Sequence, residues 1–138
     1  MEGTLLEQED KYQKYFKNSI NAIFVADSNG NYIDVNTAAC IMLGYSQEEL
    51  LNLSIAEIIP AETRDIVMKS FDLLKVTGEL VMEATLVKKN GTIFDVQLNC
   101  FKASEKEFVA FCHDVTERKQ ADKALRSSEK NIGNYSIA

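Results

Sequence analysis

The spacing of hydrophobic residues changes twice along this chain. Residues 20–27 form an apolar run, and a shorter apolar run follows at residues 32–35, after a polar Ser-Asn-Gly-Asn sequence. Asn29-Gly30 between two apolar runs is typical of a β-hairpin, because both residues tolerate the positive φ angles of a tight turn. The pattern therefore predicts two antiparallel strands near the start of the globular part.

The spacing then becomes helical and is interrupted by residues that cap helices. Asn36 is placed to cap a short helix that ends at Gly44. Ser46 and Glu49 form a capping-box pattern for a second short helix. Residues 54–59 predict one more helical turn. The middle of the chain is thus expected to hold several short helices.

A longer helix is predicted over residues 60–76. Pro60 suits its first turn, and Gly78 is placed to end it. Val67, Phe71 and Leu74 are spaced by four and three residues, which places them on one apolar stripe. We expect this stripe to pack against the core.

After Gly78 the hydrophobic period becomes two. Residues 80–88 and 92–101 predict strands joined at Asn90-Gly91, and residues 108–115 predict a last strand. Apolar and polar positions alternate in the middle strand, so one of its faces should be buried. The residues on that face are Phe94, Val96, Leu98 and Cys100. Strands at both ends of a helical middle favour an α+β fold, with one five-stranded antiparallel sheet and short helices packed on one face.

The last strand runs directly into a charged, alanine-rich helical pattern that begins at Glu117. Thr116 at this junction can act as a helix N-cap, and Asp114 can hold the exit angle by accepting hydrogen bonds from the turn. A strand that leaves a sheet through a fixed joint can pass a change in the sheet to the next helix. We predict three segments: an N-terminal helical linker at 1–18, a globular domain at 19–116 and a C-terminal signalling helix or linker at 117–138.

Composition narrows the classes of protein to consider. The 138 residues are 46% hydrophobic and 26% charged, which suits one globular domain with flanking helices. The net charge of −6 argues against a nucleic-acid-binding surface, which needs clustered Lys and Arg. No apolar run approaches membrane-spanning length, and the first ten residues are acidic rather than signal-like. We therefore predict a cytoplasmic chain without membrane contact.

The sequence contains no recognisable catalytic or metal-binding set. Cys40, Cys100 and Cys112 have no CxxC spacing, so we interpret them as core thiols. His113 is the single histidine, and no phosphate-binding loop is present. The enzymatic alternative is a cone-shaped isomerase with an acid buried in its cavity. The candidate acids, Asp34 and Asp95, occupy polar positions of the strand alternation, which argues against this alternative. We predict no metal site and no enzymatic activity in this chain.

Four stretches together resemble the PAS domain, the sensory module of bacterial and archaeal signalling proteins. They are FVADSNGNYIDVN at 24–36, the Gly-Tyr-Ser turn at 44–46, KKNGTIFDV at 88–96 and HDVTERKQADKAL at 113–125. The last stretch has Asp-Val-Thr where the family carries an Asp-Ile-Thr motif. The resemblance implies that the five strands wrap a small apolar cavity beneath the helices, and that the exit helix carries the output.

The resemblance also bears on cofactors. Members of the family that bind haem usually present a histidine from the long helix, and flavin photosensors of the light-oxygen-voltage type carry a reactive cysteine on a helix, in an Asn-Cys-Arg context. Residues 60–76 contain no histidine, and residues 54–59 contain no cysteine. Neither haem nor covalently bound flavin is therefore expected. No other cofactor is indicated.

The predicted function is a sensory domain that binds a small apolar ligand or a partner and relays the change to an effector, a histidine kinase in the first instance. Asp114 and Thr116 are the predicted relay residues. Strand parity is open for the first, fourth and fifth strands. The candidate cavity residues are Ile23, Val25, Met42, Val67, Phe71, Leu86, Val96, Leu98 and Ala110.

Two alternatives stay open at this point. The chain could be a dimerisation or interaction module with a filled core and no ligand, or the sensory module of a transcription regulator or a cyclic-dinucleotide enzyme. Expected partners are a second copy of the chain, paired through the flanking helices, and neighbouring signalling domains. A short heptad seam at Ala121, Leu125, Ser128 and Ile132 supports such pairing only weakly.

Overall fold

The computed structural model describes residue 11 and residues 13–116. A helical segment at residues 13–18 precedes five strands and three α-helices. The elements are β1 (Ala22–Ala26), β2 (Tyr32–Val35), α1 (Thr37–Leu43), α2 (Gln47–Leu51), two 3₁₀ turns (Ile55–Ile58 and Ala61–Thr63), α3 (Arg64–Thr77), β3 (Glu79–Val87), β4 (Ile93–Ser104) and β5 (Glu107–Asp114). Within the described residues, no helix is long and apolar enough to cross a membrane.

The five strands form one antiparallel sheet in the order β2-β1-β5-β4-β3. The predicted α+β class and the five-stranded antiparallel sheet are confirmed. The last strand lies at the centre of the sheet, where it pairs with β1 from Ala22↔Cys112 to Ala26↔Phe108 and with β4 on its other edge. The chain therefore leaves the sheet from its central strand, β5, which pairs with β1 on one side and β4 on the other.

Both predicted hairpin turns form, but only their glycines adopt positive φ angles. Gly30 has φ +85° and Gly91 has φ +91°, whereas no described non-glycine residue has a positive φ. At the first turn, the Asp27 carboxylate accepts hydrogen bonds from the backbone N–H groups of Asn29 and Asn31, at 2.9 and 3.0 Å. The carboxylate thus orders a turn that the asparagine was expected to stabilise through its own conformation.

Several predicted boundaries move by a few residues. β1 begins at Ala22 rather than residue 20, because Ile20 is 94% exposed and lies in the preceding turn. α3 begins at Arg64, since Pro60 has an extended ψ of 144° and is followed by a 3₁₀ turn. β4 continues three residues beyond its predicted end, to Ser104. The core stripe of α3 is confirmed, with Val67, Phe71 and Leu74 buried.

The predicted capping residues of α1 and α2 are confirmed. Gly44 ends α1 in the left-handed conformation, with φ +78°. Ser46 and Glu49 form the reciprocal capping box at the start of α2. The Glu49 carboxylate also pairs with the Lys89 ammonium at 2.6 Å, which ties α2 to the β3–β4 hairpin. The short helices are therefore fixed at their ends against the sheet.

Asn36 is the one buried polar residue among the described residues, and its side chain makes four hydrogen bonds. Its Oδ1 accepts from the backbone N–H groups of Ile23 and Ala39, at 2.9 and 3.0 Å. Its Nδ2 donates to the carbonyl oxygens of Phe16 and Asn21, at 3.0 and 2.8 Å. The predicted N-cap role is confirmed, and the same side chain also joins the N-terminal helical segment to β1.

Candidate ligand cavity and exit joint

A cavity of about 70 Å³ lies between the inner face of the sheet and the helical layer. Strands contribute one wall, and the first 3₁₀ turn together with α3 contributes the other. The wall on the helical side includes Ile55, Ile58, Val67, Phe71 and Leu74. The wall on the sheet side includes Phe24, Tyr32, Leu86, Leu98, Ala110 and Phe108. The walls of this space consist almost entirely of hydrocarbon side chains.

Five of the nine candidate residues line this cavity. They are Val67, Phe71, Leu86, Leu98 and Ala110. Ala110 lies on the central strand β5 and Leu98 on the adjacent strand β4, so a molecule in the cavity would contact the middle of the sheet. Whether any of these residues binds a ligand stays a prediction.

Ile23 and Val25 lie on the opposite face of the sheet, which corrects the parity assumed for β1. They border a shallow groove with Tyr15 and Phe16 of the N-terminal helical segment. The neighbouring positions of the strand, Phe24 and Ala26, face inward instead. The entire strand is apolar because the N-terminal segment covers its outer face, so the sequence carries no alternation from which parity could be inferred.

Met42 and Val96 do not line the cavity either. Met42 on α1 borders a separate polar depression beside Lys88 and Lys89. Val96 points inward as the alternation of β4 predicted, but it is completely buried in the main core cluster. Neighbouring core side chains fill the space around Val96, so it borders no open volume.

The aromatic part of the wall was missed at the sequence level. Phe71 and Phe108 meet edge to face, with ring centroids 5.1 Å apart, and Phe24 packs against Tyr32 at 5.4 Å. Phe24 and Phe108 line the same cavity only because β1 pairs with β5, a contact between the two ends of the domain. Counting alternate positions from the first residue of each strand could have indicated that Phe24 and Phe108 face inward. The pairing register between β1 and β5, however, could not be predicted from the sequence.

No charged residue lines the cavity, and its polar groups are the Tyr32 hydroxyl and the Cys100 thiol. Burial raises the pKa of Cys100 to about 11. Burial, together with the nearby Cys100 and Asp114, raises the pKa of Cys112 behind it to about 12. Burial is also the main reason that the pKa of Tyr32 lies well above its usual range, with Cys112 and Cys100 adding to the shift. All three groups are neutral at pH 7, so the cavity is uncharged.

These shifts predict that the inward-facing thiols react slowly in the folded protein. A pKa raised from 9.0 to about 11 lowers the thiolate fraction of Cys100 about a hundredfold at neutral pH, and the thiolate is the nucleophile. Alkylation by iodoacetamide, followed by peptide mass spectrometry, should therefore modify Cys100 and Cys112 at least a hundredfold more slowly in buffer than in denaturant. Equal rates under both conditions would contradict the assignment of buried, protonated thiols.

The exit of β5 is held by a small network of hydrogen bonds to β4. The Thr116 hydroxyl accepts from the Asp95 N–H at 3.2 Å and lies 3.4 Å from the Asp95 carbonyl oxygen, to which it can donate. The Val115 N–H donates to that same carbonyl at 3.0 Å. The Thr116 N–H donates to the Asp114 carboxylate at 2.9 Å. We call these residues, Asp95 and 114–116, the exit joint.

The exit joint differs in part from the predicted arrangement. Asp114 accepts a hydrogen bond from the turn, as expected. The Thr116 hydroxyl, however, bonds to the backbone of β4. An N-cap bond to the following turn falls in the segment 117–138, outside the described residues. The observed bonds fasten residues 115 and 116 to β4, the strand whose Leu98 and Cys100 line the cavity.

The residues considered for other chemistry lie away from the cavity wall. Among its residues, no group of three or more His, Cys, Asp or Glu side chains could hold a metal ion. His113 lies on β5 opposite Gln97, away from the cavity wall. Asp34 and Asp95 are also absent from that wall. Burial is the main reason that the pKa of Asp34 lies above its usual range.

Comparison with known proteins gives the same family for sequence and structure. The sequence profile described as "PAS domain" matches residues 20–117. The methyl sulfide methyltransferase-associated sensor of Methanosarcina acetivorans is 32% identical over 126 residues, which is 88% of this chain. The sensor histidine kinase TmoS of Ectopseudomonas mendocina is 24% identical over 135 residues, which is 93% of this chain. The chain spans 13% and 14%, respectively, of the length of these two relatives.

A solved structure supports the same conclusion. A domain of the sensory box sensor histidine kinase/response regulator from Geobacter sulfurreducens superposes with a TM-score of 0.70 at 27% identity. The match covers 80% of this chain and 96% of that one. The fold and the family therefore agree, and homologues of this domain occur in sensor histidine kinases.

Proposed function

The chain belongs to the PAS domain family, and from that premise we propose that it is the sensory domain of a sensor histidine kinase. Its signal is a small molecule that enters the cavity, and its output leaves through the exit joint. The observation that carries this proposal is the path from one to the other. Ala110 of the cavity wall and Asp114 of the exit joint lie on the same central strand, four residues apart.

The physical argument is one of differential binding. A molecule that fills the cavity gains dispersion contacts with walls that have no partner atoms on their open side. It shifts the domain only if it fits one arrangement of the sheet better than another. Leu98 and Ala110 lie on adjacent strands, and the Asp95–Thr116 bonds join those same strands a few residues further along. A change in their relative position therefore alters the exit joint. The chain itself has no proposed catalytic role.

A second reading, an interaction module without a ligand, rests on the outer face of the sheet. Phe101 and Phe111 stack there with ring centroids 6.1 Å apart, and Phe101 is 38% exposed. Such a surface, bordered by the N-terminal helical segment, suits pairing with a second copy of the chain. In that case the cavity would be a packing defect, and occupying it would have no consequence for output.

Filling the cavity distinguishes the two readings. Ala110→Leu places a larger apolar side chain in the cavity, at a cost of about 1–3 kcal/mol if the fit is tight. We expect this variant to exclude xenon, which the wild-type cavity should admit, and to fix the effector activity of the full-length protein at one level. The measurements are xenon-induced methyl chemical shifts of the domain and kinase activity with and without stimulus.

Ala103→Leu is the matched control, because Ala103 lies exposed on β4 and the chemical change is identical. This variant should admit xenon and regulate normally. Normal regulation in Ala110→Leu, with xenon excluded, would refute the ligand-sensing proposal and favour the interaction module.

A further inference from the structure

We propose that the ligand of this cavity is a small, uncharged molecule with one hydrogen-bond acceptor, such as an aliphatic alcohol, aldehyde or ketone, and that Tyr32 donates to that acceptor. The inference rests on the proposed sensory function and names its ligand class. Tyr32 lines the cavity and is only 6% exposed. Its hydroxyl forms no hydrogen bond to any other described residue.

A buried hydroxyl without a partner is unusual, because the great majority of buried polar atoms are hydrogen-bonded. No described side-chain N or O atom is both fully enclosed and unpartnered. The Tyr32 hydroxyl therefore keeps some accessible surface, and Tyr32 lines the cavity, so we assign the hydroxyl to the cavity wall. The donor is in place before any ligand arrives.

The protein holds this hydroxyl in a defined position. The Tyr32 backbone N–H donates to the Leu53 carbonyl at 3.1 Å, and the residue pairs with Ala26 across the first hairpin. Its ring packs against Phe24 with centroids 5.4 Å apart. The side chain is thus fixed by two strands and the loop before the first 3₁₀ turn. Because this side chain is already ordered, ligand binding requires little further loss of side-chain entropy, which favours affinity.

The uncharged surroundings select against ions. No Lys, Arg or His lines the cavity, so a carboxylate would lose its hydration without gaining a counter-charge. The same loss applies to an ammonium group. A purely apolar molecule would leave the hydroxyl unpaired, and a molecule that displaces water from it without replacing the hydrogen bond loses affinity. A neutral acceptor satisfies both conditions.

The volume limits the size of the ligand. The cavity of about 70 Å³ exceeds the ~10–15 Å³ that one water molecule needs. It is about half of the ~150 Å³ of an engineered apolar cavity that binds benzene. A molecule of about three or four non-hydrogen atoms therefore fits without rearrangement of the walls.

The test uses three probes of similar size on the purified chain. Acetone carries a neutral acceptor, acetate carries a charge on a similar skeleton, and xenon has no hydrogen-bonding group. Dissociation constants come from chemical-shift titrations followed at the residues of the cavity wall. We expect acetone and xenon to bind in the cavity, and acetate to cause no saturable shift there.

Tyr32→Phe removes the hydroxyl and keeps the ring. It should weaken acetone binding about 3- to 10-fold, in line with a net hydrogen-bond contribution of about 0.5–1.5 kcal/mol. It should not weaken xenon binding, because xenon makes no hydrogen bond and no longer leaves a hydroxyl unpaired. Tyr45→Phe is the matched control, since Tyr45 packs against the core outside the cavity wall and should affect neither probe. Should Tyr32→Phe fail to fold, the wild-type protein still provides a test: acetone must shift the Tyr32 ring signals and acetate must not.

The outcomes separate this inference from the proposed function. Xenon binding together with acetone binding that is equal in wild type and Tyr32→Phe would overturn the Tyr32 inference and leave ligand sensing in place. Acetate binding as tightly as acetone would also overturn the inference. Failure of every probe, including xenon, to enter the cavity would overturn the inference and the proposed function together.

Discussion

Asn36→Ala is expected to lower the free energy of unfolding by about 3–5 kcal/mol, the largest effect on stability that we predict from a single polar side chain. The substitution leaves two backbone N–H groups and two carbonyl oxygens without the partner that Asn36 supplies. Because Asn36 is only 1% exposed, water cannot readily replace all four bonds. Urea denaturation followed by circular dichroism measures the change.

Asn52→Ala is the matched control for this prediction. Asn52 is exposed, and its side chain makes one hydrogen bond, to the Glu48 carbonyl. Its loss should cost less than about 1 kcal/mol, since the carbonyl remains accessible to water. Equal costs for the two variants would contradict the central role assigned to Asn36.

Asn36→Asp tests the same bonds through pH. An aspartate would keep the acceptor but place carboxylate oxygens where Nδ2 now donates to two carbonyls. Burial and these carbonyls should raise the folded-state pKa of that carboxyl above its unfolded value. The destabilisation should therefore be greatest above the raised pKa and diminish as the pH falls through it. Destabilisation that is independent of pH would argue against this geometry.

Thr116→Val and Asp114→Ala are expected to uncouple the output of the full-length protein from its stimulus while the domain stays folded. Thr116→Val keeps the shape of the side chain but removes its bonds to the Asp95 backbone. Asp114→Ala removes the acceptor for the Thr116 N–H. Each should cost only about 0.5–1.5 kcal/mol, so a loss of regulation could not be attributed to unfolding.

The measurement pairs effector activity, with and without stimulus, with a melting curve of the isolated chain. Thr85→Val is the control: Thr85 lies opposite Asp95 in the register of β3 and β4, and its hydroxyl makes no hydrogen bond to another described residue. This variant should regulate normally. Wild-type regulation in both exit-joint variants would rule out transmission through this joint, whatever the melting temperatures.

Local features of the fold were predictable because they depend on neighbouring residues. Asn36, Gly44 and the Ser46–Glu49 box act within one helical turn, and the glycines at 30 and 91 act within one hairpin. The alternation along β4 marked its inner face correctly, since the polar residues Asp95, Gln97 and Asn99 occupy the outer positions in the middle of that strand. The antiparallel α+β class followed from these elements and the order in which they occur.

Local sequence patterns could not predict which face of β1 is buried or which distant residues bond to the Asn36 side chain. β1 is apolar on both faces, because the N-terminal helical segment covers the outer one, so its sequence contains no period of two. The bond between Asn36 and Phe16 spans 20 residues and depends on how that segment docks. The position of the Thr116 hydroxyl likewise depends on β5 lying beside β4.

The sequence by itself thus determined which segments become helices and strands and, to within a few residues, where they begin and end, since capping and turn formation depend on short-range sterics and hydrogen bonding. Its motifs also determined the family to which the chain belongs. Tertiary structure alone decided where a cavity remains and which side chains face it. That outcome depends on the register between the first and last strands and on how closely the helices pack over the sheet. Val96 and Leu98 show the difference: both face inward on the same strand, but packing fills the space around Val96 and leaves it open beside Leu98.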